Sequence, residues 1–263
     1  MFSDIKWHIR SVLDGMRKEQ RLSALVFAWT VFCAYWSCHG QYESYLQLYH
    51  VRLCAADELI MFQGHWNFGI MLLPVFTFFV MKSSRESLNI QQLLRYRSRK
   101  KMFRKQIREG IIYAFIITTV MLTVETVFAR TMTESFINWD QIDSLYYSQT
   151  GRMEEVSFLV VFGMIFVIYL VKFVQILIFM EALFWCPKYM PALWILLILL
   201  AAISSWRFDG YYQFFSVQTA SWDSPVKMGG AFLLGILVIL AEYSVGVRFI
   251  RKIDLYGEMN TGE

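Results

Sequence analysis

Glu125, Lys172, Gln175 and Glu242 interrupt long apolar runs of this chain, and they are its most chemically informative side chains. An ionisable group at the centre of a membrane helix costs about 2.5–3.5 kcal/mol on insertion scales, so it is retained where it meets a partner or a water-filled path. Lys172, with Gln175 one turn further on, falls near the middle of its run, and Glu125 falls in the outer half of another. The chemistry open to this set is charge pairing. Lys172 against Glu125 or Glu242 would hold helices in register, or would line a path and part during a conformational cycle.

Other reactive constellations are missing. The chain has no G-x-x-x-x-G-K-[ST] phosphate loop, no G-x-G-x-x-G, no H-E-x-x-H and no C-x-x-C. His8, His39, His50 and His65 lack metal-ligand spacing, and no Ser-His or Asp-Asp set lies within the apolar runs. The chain is therefore expected not to be an enzyme. Four cysteines are too few for a disulfide scaffold. Cys33 and Cys186 read as buried small apolar residues, whereas Cys38 and Cys54 both fall at the outer side. That pair is either one bridge closing an external loop or two free thiols.

The elements that must position these residues are membrane helices. Apolar residues make up 57% of the chain and aromatic residues 17%, which places it among integral membrane proteins. Runs near the roughly 20 residues that span a bilayer lie at Leu22–Cys38, Leu59–Val80, Gly110–Ala129, Val156–Trp185, Met190–Trp206 and Gly230–Val247. The reading is an all-α fold with six transmembrane helices. Lys82 to Arg108 is strongly basic, and Lys- and Arg-rich short loops stay cytoplasmic. The basic Met1–Arg21 and Arg248, Arg251 and Lys252 after the last run put both termini on the same side, while the loops at 41–58 and 130–155 are acidic.

Two further features have internal order. Residues 1–21 interleave Phe2, Ile5, Trp7, Ile9, Val12 and Leu13 with basic residues and read as an interfacial amphipathic helix. No cleaved signal peptide is evident there. Ser83-x-x-Glu86 reads as a capping box opening a cytoplasmic helix whose apolar side is Leu88, Ile90, Leu93 and Leu94. Aromatic residues crowd the external segments, with Trp139, Tyr146, Tyr147, Tyr211, Tyr212 and Trp222 among them. They read as an interfacial belt, or as an external lid in which a short helix presents Phe136, Ile137 and Ile142.

The run Gln92-Leu-Leu-Arg-Tyr-Arg-Ser-Arg-Lys-Lys-Met-Phe-Arg-Lys-Gln106 after the second apolar run resembles the cytoplasmic segment of small bacterial ABC-2 type permeases, particularly exporters of antimicrobial peptides. Val247-Arg-Phe-Ile-Arg-Lys-Ile-Asp254 is similar to the ending that follows their last span. The resemblance implies a permease subunit in the bacterial plasma membrane that exports a hydrophobic or amphipathic substrate, a peptide or a lipid-like compound. It implies that the helix at about 84–97 is a coupling helix, with Leu93, Leu94, Arg95, Tyr96, Arg97 and Arg99 against a separate ATPase subunit. It implies 1–21 as an elbow helix, 22–247 as the transmembrane domain and 248–263 as a cytoplasmic tail. ATP and Mg2+ would be held by the partner and no cofactor by this chain, and a second six-span permease, identical or paralogous, would complete the path. The alternative class is a membrane scaffold or sensor subunit that anchors a cytoplasmic partner or anionic lipid without a transport path.

Overall fold

The structure, a computed structural model, describes residues 14, 20–62, 67–68, 72–78, 80, 98–185, 191, 195, 219, 222 and 225–252. Among these, the elements with defined bounds are the helices α1 (Gln20–Tyr49), α2 (Ala55–Phe62), α3 (Arg99–Met132), α4 (Leu145–Thr150), α5 (Phe158–Phe184) and α6 (Pro225–Lys252). Two of them, α3 and α5, are long and apolar enough to cross a membrane. Leu93, Leu94, Arg95, Tyr96 and Arg97, nearly all of the elbow segment and of the fifth apolar run, and the tail from residue 253 lie outside the described residues.

Helix ends depart from the apolar boundaries in a consistent direction. Polarity ends the first run at Cys38, but no proline or cap breaks the backbone there, and α1 continues to Tyr49. Ser44 Oγ donates to the Gly40 carbonyl at 2.7 Å, and His39 lies 3.7 Å from Glu43 one turn on. The helix stops where His50 takes a left-handed φ of 53°. At its basic end α3 begins at Arg99, ahead of the expected Gly110, because the charged segment contains no breaker and Lys105 pairs with Glu109 at 3.7 Å across one turn. The 34 residues of α3 therefore span about 51 Å, well beyond a bilayer core of about 30 Å.

The long helices pack side by side, two pairs antiparallel and one parallel. Tyr35 meets Phe128 edge-on and Cys38 meets Glu125, so α1 runs antiparallel to α3. Gln106 bonds Trp185 at one end of the α3–α5 pair and Phe115 meets Phe166 nearer the other, so these two are also antiparallel. Gly110 allows that approach: a Cβ there would lie 2.4 Å from both Leu177 methyl carbons. α6 runs parallel to α5, with Gln175 beside Glu242 and Ala182 beside Gly246. Described residues of the second apolar run lie against α5, with the Phe68 and Phe76 rings tilted against Phe173 at 5.3 and 4.5 Å. Apolar side chains such as Trp36, Phe115, Val127, Leu233 and Leu237 remain exposed on the outside of this bundle, as expected of a surface that meets lipid or another protein.

Residues 50–57 and 133–157 form a folded cap over the end of the bundle where α3 finishes and α5 begins. Arg52 N–H donates to the Asp143 carbonyl at 2.9 Å, and Ala55 and Ala56 N–H donate to Ser135 and Phe136 at 3.1 Å. Ser144 caps α4 by accepting from Tyr147 N–H, and the helix ends on Gly151 with φ 68°. The belt reading of the aromatic cluster is corrected for three members. Trp139, Tyr146 and Trp222 are buried, with Trp139 stacked on Tyr146 at 5.0 Å and tilted against Trp222 at 5.5 Å. Inside the cap their rings fill volume, while Phe136 and Ile142 stay exposed and the short helix falls at Leu145–Thr150 instead.

Candidate functional site

Asp57 ties the cap to the bundle. Its Oδ1 accepts Trp139 Nε1–H at 2.9 Å, and its Oδ2 accepts Cys54 N–H at 3.1 Å and the Cys54 thiol at the same distance. Burial pushes the Asp57 carboxyl up to about 6, with the Cys54 and Trp139 hydrogen bonds pulling the other way. The same burial, followed by the Asp57 charge, holds the Cys54 thiol well above its usual range. A carboxyl fixed at three points in a dry pocket orients α2 rather than reacting.

Glu58, the next residue, belongs to a second cluster where α1, α2 and α3 meet. The Cys38 Sγ and carboxylate oxygens of Glu58 and Glu125 all lie within 4.8 Å of one another, and all three residues are buried. Cys38 donates to Glu125 Oε1 at 3.3 Å. Both Glu58 oxygens and Glu125 Oε2 have no hydrogen-bond partner among the described residues. The Tyr169 hydroxyl on α5 is likewise buried without a hydrogen-bond partner among the described residues.

The cysteine bridge considered from sequence is not formed. Cys38 and Cys54 are free and buried, each turned to a different carboxyl: Cys38 to Glu125 and Cys54 to Asp57. Glu125 is met by Cys38, and Glu242 Oε1 accepts from Gln175 Nε2 at 3.3 Å. The Lys172 ammonium lies over the Phe68 and Tyr169 rings, 4.9 and 5.8 Å from their centroids, a cation–π setting that suits a buried cation. Lys172 and Gln175 are buried on α5, Glu125 is buried on α3, and Glu242 is partly buried on α6. They place polar groups inside an otherwise apolar bundle.

At the opposite end the basic start of α3 is bonded to its neighbours. Trp185 Nε1–H donates to Gln106 Oε1 at 3.2 Å, and Arg104 Nε–H donates to the Tyr243 hydroxyl at 3.2 Å. Phe103 stacks on Tyr243 and lies beside Gly246. Arg99, one of the expected coupling contacts, is the first residue of α3 and half-buried.

Sequence reasoning missed Glu58, Asp57 and Trp139 as site residues. Asp57 and Glu58 counted only as acidic loop charges, although two acids abutting an apolar run stand at the same depth as Cys38 and Glu125, and that shared depth was the available signal. Comparison of the chain with protein-family models, curated proteins and solved structures finds no match.

Proposed function

We propose that this chain is the membrane permease subunit of an ATP-driven, ABC-2 type exporter, with six spans and both termini in the cytoplasm of a bacterial cell. The carrying observation is the continuous α3 helix, in which a basic segment outside the apolar stretch is joined without a break to the helix that bears Glu125. Because Gln106 and Arg104 bond that segment to the ends of α5 and α6, a force applied to the basic loop reaches three long helices together. A separate nucleotide-binding subunit would apply it through the coupling helix at about 84–97, with ATP and Mg2+ held by that subunit. Glu125, Lys172, Gln175 and Glu242 give the moving helices polar contacts that can be exchanged between inward- and outward-facing states. The cargo in this reading is a hydrophobic or amphipathic peptide or lipid-like molecule, moved outward between two such permease subunits.

The test is affinity purification of the tagged chain from its native membrane in mild detergent. A stoichiometric partner that carries a G-x-x-x-x-G-K-[ST] loop, and that is lost in Arg95→Ala/Tyr96→Ala, supports the permease reading. Recovery of a different cytoplasmic partner, or of none, refutes it and favours a scaffold or sensor that anchors its partner through the basic loop.

A further inference from the structure

We propose that Cys38, Glu58 and Glu125 form a binding site for a transition-metal dication of the Zn2+ or Co2+ class at the junction of α1, α2 and α3. Three separate segments of the chain each bring one ligand-type side chain to this point, and their donor atoms all fall within 4.8 Å of one another. A metal with ligand distances of about 2.0–2.3 Å draws such atoms together with small side-chain adjustments. The unpartnered oxygens point to a ligand. Both Glu58 oxygens and Glu125 Oε2 are fully buried without a hydrogen-bond donor among the described residues, and a buried carboxylate in that position normally costs several kcal/mol.

Protons alone satisfy this arrangement less well than a metal does. Two carboxylic acids sharing a dry site usually close on each other through O–H···O bonds, yet here no such bond links Glu58 to Glu125. A dication would offset two of the three negative charges that the two carboxylates and the Cys38 thiolate bring, and would occupy the space between them. The donor set also selects the class of metal. Calcium and magnesium take all-oxygen shells, whereas a thiolate with carboxylates suits a borderline or soft dication. Binding would release the Cys38 thiol proton to solvent as the sulfur becomes a thiolate, together with any proton held by the two carboxyls.

This site is independent of the exporter reading, since metal binding and ATPase recovery are read in different experiments. The full-length chain, carrying an affinity tag without histidines, is stripped with chelator in detergent and dialysed against Co2+. The expected result is about one Co2+ per chain with a near-ultraviolet thiolate-to-cobalt charge-transfer band. Cys38→Ser should abolish the band, Glu58→Gln should weaken binding more than about tenfold, and Cys33→Ala should keep both. Wild-type protein provides a readout that needs no variant: at a urea concentration that begins to open the protein and so exposes the buried Cys38 thiol, Zn2+ should slow its alkylation, as followed by peptide mass spectrometry. Absence of bound Co2+, a band that survives in Cys38→Ser, or Cys38 alkylation unaffected by Zn2+ would each overturn the proposal.

Discussion

Gly110→Ala tests whether α3 and α5 are seated as closely as the geometry indicates. The new Cβ would lie 2.4 Å from Leu177 Cδ1 and Cδ2 and 2.9 Å from its Cγ. Carbon atoms rest about 3.5–4.0 Å apart, so the Leu177 side chain must move by about 1 Å or more. The clash reaches the branch point rather than only the methyl tips, and Leu177 is 1% exposed, so rotation meets packed neighbours. Overpacking of this kind costs about 1–3 kcal/mol. Alanine returns about 0.5–1 kcal/mol through its better helix propensity, leaving a net loss of about 1–2 kcal/mol. In thermal unfolding of the detergent-solubilised protein, that loss should lower the apparent Tm by about 2–8 °C. Leu177→Ala alone should cost about 2–5 kcal/mol by opening a cavity. In the double variant the two effects should couple favourably by about 1–2 kcal/mol, because the added methyl occupies part of the vacated space. A Gly110→Ala protein as stable as the wild type, or strict additivity in the double variant, would refute the close seating of these helices.

Trp139→Phe keeps a ring against Tyr146 and Trp222 but removes the donor to Asp57, so it should destabilise the cap by about 1–3 kcal/mol, measurable as faster limited proteolysis within 133–157; unchanged proteolysis would remove Asp57 as the tie. Cys38 and Cys54 should be labelled by maleimide only after denaturation, and reducing and non-reducing gels should be identical, since both thiols are free and buried; rapid labelling of the native protein, or a mobility difference between the gels, would contradict that assignment. His50→Val places a β-branched residue at φ 53° and should cost about 1–2 kcal/mol of stability, whereas His50→Gly should cost nothing; equal stability of the two variants would show that α1 does not end in a left-handed turn.

The α5 helix was the most legible element, since the long, proline-free apolar run expected at Val156–Trp185 became Phe158–Phe184. Its length and composition leave little else for the segment to do. The end of α1 was illegible for the opposite reason. Apolarity stops at Cys38, but a helix ends where its backbone is broken, and the break comes at His50. Burial of Glu125 and Lys172 followed from depth alone, while their surroundings did not. Which residue faces Glu125 depends on how α1 and α2 pack laterally, and a one-dimensional pattern carries no lateral information. Trp139 shows the same limit, because a tryptophan beside an apolar run has the same composition whether it rests at an interface or fills a cap.

The length of α3 also sets a mechanical ratio. Counting about 1.5 Å per residue from the middle of its apolar stretch, Arg99 lies about 31 Å away on one side and Glu125 about 8 Å away on the other. If the helix pivots as a rigid rod about that midpoint, a swing of about 10° carries the Arg99 end through about 5 Å while Glu125 shifts by about 1.4 Å. Displacement is thus divided roughly fourfold between the basic end and the buried carboxylate, and by the lever rule force is multiplied by the same factor. A large, weak stroke delivered at the charged tip would reach Glu125 as a small, strong one, on the scale needed to exchange one hydrogen-bond partner for another.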